Sequence, residues 1–566
     1  MSRFDYLFGR TTLDSAHKHI YGGKVFADKE LFDSATKHYK KGLQIYEQLL
    51  DANDPQIANA CLNYSTVLRR VSSYAEAAEL CQKAVTIYSH NTGQEKDVQN
   101  AYTHLGISYM RGGEKEKALE AFLRANELQA KLGNDSLTSA SLLYYIGTLY
   151  NDMERFDEAW DTLNQAYGML QSLPEKDHTL EACLLLSLGV NLENTGNYEE
   201  ALKYCTVAWY RQTEIKMSPL DISVTEDHIA SINERLGDWE NAIKAYRLAI
   251  SIYQEGYYQD HFNLLNWYKK IGHIESVHGL YSEAKGDYWS ALYHAKRLKN
   301  NSDFETAALY YAIGLTGFYA GDYYAASLNF KKAIKLFEVD QLHNLKELAL
   351  VYKRQGDCMA NIQNRKEKPE DYYLKAIACY HALNEEAPAS LCLTCGKYLL
   401  NVQRYKESLY CSEEALRGFT RALEQKPEDK QDHNNNFLFS TTDSIAQCHY
   451  MIGSVHYVSV EYVSAAKEFI QAYVWYKHTL PMLPENPTTA ESLRVCEDQL
   501  TFIYNLNSGD PAWAVSVFEK AGKELEEEYG TDSDEFFVAK RWIQYAHSHS
   551  KAVGPTPSVD NSTKRT

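Results

Sequence analysis

The strongest constraint on how this chain of 566 residues can fold is a repeat of 41 or 42 residues. The segments LGISYMRGGEKEKALEAFLRA, IGTLYNDMERFDEAWDTLNQA and LGVNLENTGNYEEALKYCTVA align without gaps from Leu105, Ile146 and Leu188. A fixed period of this length predicts an array of similar units, each packed on its neighbours. One small residue marks each unit: Gly106, Gly147, Gly189, Ala230, Gly272, Gly314 and Gly356. Two alanines seven residues apart follow it, from Ala77 and Ala84 to Ala326 and Ala333.

Each unit is predicted to be a pair of helices joined by a turn. Tyr102 and Leu105 share one helical face, and Ala118 and Phe122 share another, at the spacing of successive helical turns. The small residues fall where the paired helices approach, because a larger side chain would push the helices apart. A glycine precedes most of the second helices, where a left-handed backbone ends a helix at low cost: Gly113, Gly196, Gly237, Gly279 and Gly321.

This pattern of Leu-Gly, Tyr, Gly, Ala, aromatic and Ala resembles the tetratricopeptide repeat, although the usual repeat has about 34 residues. The longer period, and the segment KLGNDSLTSASLLYYIGTLY from Lys131, resemble the arrays of kinesin light chains and of LGN/Pins polarity adaptors. The resemblance covers the chain from about Phe26 to Tyr529. It implies an all-α fold, a right-handed α-solenoid or superhelix of about eleven to twelve helical hairpins.

Irregularities predict how the array is divided. We expect N-terminal helices forming a capping hairpin over 1–50, regular repeats over 51–338, irregular repeats over 339–530, a C-terminal capping helix over 531–551 and a disordered tail over 552–566. After Gly356 the second-helix alanine is expected at Ala376, eight residues late, which predicts an inserted loop at 361–371. Polar and proline-rich stretches predict further loops at 425–444 and 480–488.

Charge and cysteine content narrow the partners and the compartment. Lys and Arg total 58 against 76 Asp and Glu, and a net charge of −18 argues against nucleic acid as a partner. No apolar stretch approaches the roughly 18 residues that a membrane span needs. Eleven cysteines without a disulfide framework indicate a reducing compartment, so we expect a cytoplasmic protein with no membrane span. The sequence leaves the oligomeric state open.

The motifs that suggest chemistry fit packing better than catalysis. Cys392-Leu-Thr-Cys395 has the CxxC spacing of zinc and redox sites, but no second ligand pair follows and both thiols fall on a buried helical stripe. No phosphate-binding GxxxxGK[ST] or GxGxxG pattern and no GxSxG elbow is found. We therefore expect no enzyme, no catalytic residue, no cofactor and no metal site. The acidic run Glu524 to Glu535 is either a docking patch or a solvated helix end.

The resemblance places the functional surface on the first helices, which line the concave groove of such arrays. The Leu or Ile directly before the small residue of each repeat serves as the reference position. The residues five and two positions before it, and two, five and six positions after it, fall on one face of the first helix. Amide and guanidinium groups suit a peptide's backbone and carboxylates, and aromatic rings suit its apolar side chains. The predicted groove residues are Asn59, Arg69, Arg70, Asn100, Arg111, Tyr144, Asn151, Asp227, Arg235, Asn266, Lys269, His273, Tyr311, Phe318 and Tyr319.

The sequence thus predicts a non-enzymatic scaffold or adaptor that binds a peptide segment or a protein partner in this groove. Asn266 and Lys269 are expected to be exposed polar donors beside an aromatic wall of Tyr311, Phe318 and Tyr319. Two alternatives remain open at this point. One is a peptide-gated regulatory receptor of the bacterial signal-peptide-sensor type, and the other is a non-catalytic subunit of an enzyme complex.

Overall fold

The computed structural model describes residues 12–133, 136–256, 261–298, 302–363, 366–425, 431–482, 487–507 and 511–548. These residues form 25 α-helices and two short 3-10 turns, Glu338–Asp340 and Leu480–Met482, with no β-strand among them. The prediction of an all-α fold is therefore confirmed. The chain divides into two compact units, Met1–Ile274 and Glu275–Thr566.

The first unit consists of helical pairs. Its helices are α1 (Leu13–Asp28), α2 (Phe32–Leu49), α3 (Pro55–Arg70), α4 (Tyr74–His90), α5 (Glu95–Arg111), α6 (Lys115–Leu132), α7 (Ser136–Asp152), α8 (Phe156–Gln171), α9 (His178–Asn194), α10 (Tyr198–Glu214), α11 (Pro219–Leu236), α12 (Trp239–Glu255) and most of α13 (His261–Val277).

The second unit continues the same alternation. Its helices are α14 (Tyr281–Ala295), α15 (Asp303–Tyr319), α16 (Tyr323–Phe337), α17 (Leu345–Asn361), α18 (Pro369–Ala382), α19 (Ala389–Asn401), α20 (Tyr405–Glu424), α21 (Gln431–Val458), α22 (Tyr462–Thr479), α23 (Pro487–Asn505), α24 (Pro511–Tyr529) and α25 (Asp534–Ser548). In both units the odd-numbered helices through α23 are the first helices of the repeats and the even-numbered ones are the second helices.

The two helices of a repeat pack at the small residue that the sequence marks. A β-carbon added at Gly106 would lie 2.8 Å from the ring of Phe122, and one at Gly314 would lie 2.5 Å from the ring of Phe330. The partner is sixteen residues further on in both cases. The alanine markers of the second helices, Ala77 to Ala326 and Ala84 to Ala333, are all 0 % exposed. Periodicity in the sequence therefore identified the core of each hairpin correctly.

The turns inside the hairpins have the predicted left-handed backbone. The turn glycines have φ between 78° and 83°: Gly113, Gly196, Gly237, Gly279 and Gly321. The equivalent position of the repeat centred on Gly453 holds Val460, whose φ of 67° is unfavourable for a β-branched side chain. Glycine is thus the common solution at this turn, but the packed helices on either side can hold other residues in the same conformation.

The structure corrects the loop predicted at 425–444. Residues 431–444 belong to α21, and residues 426–430 lie outside the described part of the chain. The hydroxyl of Thr441 donates to the carbonyl of Phe437 at 2.8 Å, and that of Thr442 donates to Leu438 at 2.8 Å. These polar side chains form their hydrogen bonds within the helix. The polar composition of the segment is therefore compatible with a continuous helix.

The expected eight-residue shift after Gly356 is also wrong. A β-carbon at Gly356 would meet the ring of Tyr373 at 2.6 Å, so the second helix is displaced by one residue relative to the other repeats. Ala376 therefore stands where Ala333 stands in the preceding repeat, as the second alanine and not the first. The insertion lies between Asn361 and Pro369, and Pro369 begins α18 at a position that tolerates proline.

The other predicted sections fall as follows. Residues 1–50 include α1 and α2, and residues 531–551 include α25, while Met1 to Thr11 and the tail 552–566 lie outside the described residues. The division of the array at residue 338 stays a prediction. Cys392 and Cys395 are buried on α19, as the stripe predicted. Across the described ranges, no group of three or more His, Cys, Asp or Glu is placed to hold a metal ion.

None of the described helices combines the length and the apolarity that crossing a bilayer requires.

We expect Gly314→Leu to lower the free energy of unfolding by about 1 to 3 kcal/mol, because the new side chain must displace the fully buried ring of Phe330. Urea denaturation followed by circular dichroism measures this. Gly286→Leu is the matched control, since Gly286 is helical in the same unit and has no atom within 4 Å of an added β-carbon. An unchanged unfolding midpoint for Gly314→Leu would contradict the packing described here.

Candidate protein-binding face

The predicted groove residues lie on the first helices but differ in exposure. Seven are exposed: Asn59, Arg70, Asn100, Arg111, Arg235, His273 and Tyr319. Another seven are partly buried: Arg69, Tyr144, Asp227, Asn266, Lys269, Tyr311 and Phe318. Asn151 is buried, with 7 % of its surface exposed. The role of the set in binding remains a prediction, and the structure shows which members have free polar groups.

Asn266 and Lys269 depart from the expectation of full exposure. Both are partly buried on α13, and Lys269 takes part in interactions with its surroundings. These two residues belong to the first unit, whereas Tyr311, Phe318 and Tyr319 belong to the second. Substitutions at Asn266 and Lys269 would therefore disturb the fold as well as a ligand.

Neighbouring first helices contact each other at a recurring position. In each contact, the first residue lies four or five positions after the small residue of its repeat. Its partner lies two positions before the small residue of the next repeat, which is 35 or 36 residues further along the chain. The contacts join Arg69 to His104 (3.3 Å), Asn151 to the carbonyl of Ser187 (3.1 Å), Glu193 to His228 (2.8 Å) and Tyr319 to Arg354 (3.4 Å). Polar groups at these positions join successive repeats within a unit.

Asn151 illustrates the structural use of this position. Its amide nitrogen donates to the carbonyl of Ser187, and its amide oxygen accepts from Asn191 at 2.7 Å. Asn191 also donates to the carbonyl of Phe156 at 2.9 Å. Since both polar atoms of the Asn151 side chain are engaged and buried, Asn151 stabilises the stacking of repeats and has no free group for a ligand.

Arg69 is held by neutral acceptors. Its guanidinium donates to the hydroxyls of Ser65 (3.3 Å), Thr66 (3.1 Å) and Ser108 (3.2 Å), and to Nδ1 of His104 (3.3 Å). Arginine only donates, so Nδ1 of His104 must accept and the imidazole must be neutral. Burial, aided by the charge of Arg69, lowers the pKa of His104 to about 4. The cluster therefore keeps a single positive charge, on the arginine.

Arg69, Arg70 and Arg111 form a basic patch on the first helices of the first unit, and we call these three residues the first-helix basic patch. Arg111 and Arg69 also influence Tyr145: burial raises the pKa of its phenol, and the charges of the two arginines act in the opposite direction. Within the described residues, none of the three has a carboxylate within 4.0 Å. Other arginines do have one: Arg155 with Glu158, Arg211 with Glu214, Arg404 with Glu407 and Arg421 with Glu386.

The predicted aromatic residues of the second unit are gathered around an arginine. The guanidinium carbon of Arg354 lies 5.5 Å from the ring centre of Phe318 and 5.9 Å from that of Tyr319. Arg354 is also paired with Asp357 at 3.3 Å. Tyr319 stacks on Tyr281, with ring centres 5.8 Å apart, and is 49 % exposed. This cluster presents an aromatic edge but no unpaired charge.

His104, Tyr145 and Arg354 were missed by the sequence analysis. All three stand two residues before the small marker of their repeat, a position that the predicted offsets did not include. The chain does carry a signal there, because Lys270 and His228 occupy the same position in other repeats. Tabulating every offset for polar and aromatic residues would have found the position.

A stack of helical hairpins whose first helices carry a polar and aromatic face defines the chain as a helical-repeat protein. Models of the tetratricopeptide repeat family match residues 35–92, 97–172, 138–206 and 227–255. The chain therefore contains tetratricopeptide repeats, as the resemblance implied. The matched segments all lie in the first unit.

Curated relatives include kinesin light chain-related proteins of Arabidopsis thaliana. Protein kinesin light chain-related 3 is 25 % identical over 274 residues, which cover 48 % of this chain and 42 % of the relative. Protein kinesin light chain-related 2 is 23 % identical over 309 residues, which cover 53 % and 45 %. The chain thus spans less than half the length of these relatives.

Solved structures with a similar arrangement of helices include BtubC (BKLC) from P. vanneervenii. It is 17 % identical, with a TM-score of 0.35, over 40 % of this chain and 92 % of that one. A Rap protein complexed with competence and sporulation factor is 13 % identical, with a TM-score of 0.39, over 73 % of this chain and 100 % of that one.

Proposed function

We propose that the protein is a non-enzymatic scaffold or adaptor whose first-helix face binds a segment of another protein, and that the segment is acidic where it crosses α3 and α5. The observation that supports this most directly is the first-helix basic patch. Three arginines on one face have no carboxylate within 4.0 Å among the described residues, in a chain whose acidic residues outnumber its basic ones. A partner's carboxylates would pair with the exposed Arg70 and Arg111.

Arg69 contributes positive charge more than direct hydrogen bonds. Four hydrogen bonds within the fold engage both terminal nitrogens of its guanidinium, so it adds to the positive potential that a ligand's carboxylates meet at Arg70 and Arg111. Arg70 and Arg111 are exposed at the ends of α3 and α5, which are the first helices of successive repeats. An extended ligand that crosses both repeats would therefore contact both arginines. Tyr145 packs flat against Phe122 with ring centres 4.9 Å apart and offers a rigid apolar neighbour.

We also propose that the protein acts in the cytoplasm. All eleven cysteines lie in the described residues and are unpaired thiols, and ten of them are buried. Thiols used as core residues suit a reducing compartment.

Charge reversal of the two exposed arginines tests the proposed site. We expect Arg70→Glu combined with Arg111→Glu to weaken binding of a fluorescein-labelled octaglutamate peptide at least tenfold, about 1.4 kcal/mol, because both cations of the pairs become anions. Fluorescence anisotropy at low salt measures the affinity. The melting temperature should not change, since both side chains are exposed.

The matched control is Lys40→Glu combined with Lys203→Glu, which alters net charge equally at two exposed lysines on second helices. If the control loses as much affinity as the arginine variant, the effect is general electrostatics and the proposed site is wrong. Unchanged affinity in the arginine variant would also contradict it.

A further inference from the structure

A second cluster of cations lies on the other face of the repeats, within the second unit. Trp289 and Tyr293 lie on the second helix α14, Lys296 and Arg297 follow directly after it, and Lys332 lies on the next second helix, α16. Tyr310 of α15 lies between these helices. We call these six residues the lysine–aromatic patch.

The cations of this patch are held by aromatic rings. Nζ of Lys332 lies 5.1 Å from the ring centre of Tyr310 and 5.9 Å from that of Trp289. Nζ of Lys296 lies 5.3 Å from the ring of Tyr310 and donates to its hydroxyl at 3.0 Å. These contacts order the long side chains without neutralising their charge.

Arg297 extends the same arrangement. Its guanidinium carbon lies 3.5 Å from the ring centre of Tyr293, which is 51 % exposed. Lys296, Arg297 and Lys332 are exposed, and none of them has a carboxylate within 4.0 Å in the part of the chain that the structure describes. Three ordered cations therefore face solvent together without an acidic partner.

Lys331, which directly precedes Lys332, shows that the lysines of this unit do not all lack a carboxylate partner. It is paired with Glu367 at 2.6 Å. Glu367 also accepts from the hydroxyl of Tyr372 at 2.6 Å, so this carboxylate is already engaged. Lys331 therefore has an acidic partner, whereas Lys332, the next residue, has none among the described residues.

Trp289 adds an apolar element to the patch. Its indole is 40 % exposed although it packs edge-on against Tyr310 at 6.3 Å. Tryptophan and arginine are both enriched at protein interfaces, so an exposed Trp289 and Arg297 in one patch suit a docking surface.

From this arrangement we propose that the lysine–aromatic patch is a second docking surface, which binds an acidic segment of a partner protein. The segment's carboxylates pair with Lys296, Arg297 and Lys332, and one of its apolar side chains packs against Trp289. The argument is charge complementarity at ordered cations, and it does not depend on the first-helix basic patch, which lies in the other unit.

A protein segment fits better than a single-stranded nucleic acid. Base stacking needs free ring faces, but the rings of Tyr293 and Tyr310 carry cations over them at 3.5 to 5.3 Å. The net charge of −18 also repels a polyanion as long as DNA or RNA more strongly than a short acidic segment.

The test uses the full chain carrying Arg70→Glu and Arg111→Glu, so that the first-helix basic patch is already removed. In this background the octaglutamate peptide should still bind, with the lower affinity that remains, and adding Lys296→Glu, Arg297→Glu and Lys332→Glu should weaken this residual binding at least a further tenfold. Peptide binding should also change the tryptophan fluorescence, and Trp289→Phe should abolish that change. Affinity should fall as sodium chloride is raised, because the cations are exposed.

The matched control in the same background replaces three other exposed lysines: Lys40→Glu, Lys203→Glu and Lys520→Glu. Equal loss of affinity in this control, or no loss in the patch variant, would overturn the proposal. So would tighter binding of a twelve-residue oligothymidylate than of the peptide at the same residues, which would assign the patch to nucleic acid. Self-association by sedimentation that the patch variant abolishes would assign it to a second copy of the chain.

Discussion

At pH 8, Glu226→Gln is expected to raise the free energy of unfolding by about 3 kcal/mol. Glu226 lies on α11 with 4 % of its surface exposed, and among the described residues it has no hydrogen bond or ion pair. Burial alone raises the pKa of its carboxyl from 4.5 to about 7. A difference of this size between folded and unfolded chain corresponds to about 3 kcal/mol.

The sign follows from which state holds the proton. The folded chain binds the Glu226 proton up to about pH 7, whereas the unfolded chain releases it near pH 4.5. Protonation of Glu226 in the folded chain therefore contributes to the free energy of unfolding. This contribution is fully present below pH 4.5 and is lost as the pH rises through 7. Glutamine is always neutral and has nearly the same shape, so the gain from the substitution should be near zero at pH 4.5 and greatest at pH 8.

Urea denaturation at pH 4.5 and pH 8 measures the effect, and hydrogen exchange of peptides from 219–255 shows whether it is local. Local readout matters because repeat arrays need not unfold in one step. Glu240→Gln is the control, since Glu240 is exposed on the next helix. If Glu226→Gln and Glu240→Gln shift stability equally at both pH values, the carboxyl of Glu226 is not buried in solution.

The second large effect is expected at His104, with the opposite dependence on pH. Between pH 7 and pH 4 the wild-type chain should lose about 3 kcal/mol of stability that His104→Gln does not lose. Burial and the charge of Arg69 lower the pKa of His104 from 6.5 to about 4, so the unfolded chain takes up a proton first as the pH falls. The contribution is intact above pH 6.5 and disappears between pH 6.5 and 4.

The measurement is the difference between wild type and His104→Gln in urea denaturation at pH 7 and pH 4, since other titrating groups cancel in that difference. Glutamine retains an oxygen that can accept from Arg69. His273→Gln provides the control, because His273 is exposed on a first helix. A His104→Gln variant that loses as much stability as wild type on acidification would show that the imidazole is protonated in the folded chain.

Much of the fold could be predicted from the sequence because each hairpin repeats a local packing problem. The contact between Gly314 and Phe330 and the burial of Ala242 recur with the period of the chain. Where the period changes, prediction was weaker. The shift after Gly356 was overestimated because the second alanine was mistaken for the first, and the helical segment 431–444 was missed because its threonines bond within the helix.

The candidate site was predicted less completely. The binding face was predicted on the first helices, and Arg70 and Arg111, which were named there, are exposed; their role in binding stays a prediction. Asn151 was named for the same reason but is buried between repeats, and His104 was not named although it holds Arg69. One helical wheel cannot separate these cases, since residues on the same face can meet solvent or the next helix.

The sequence by itself determined the repeat length, the pairing of helices and the small residues at which they touch, because these contacts lie within one repeat and recur in every unit. Only the tertiary structure decided which polar residues form hydrogen bonds between neighbouring repeats and which cations have no carboxylate partner. Those contacts join residues 35 or 36 positions apart, such as Arg69 with His104. They depend on how neighbouring first helices stack, and the periodicity of a single repeat does not encode that geometry.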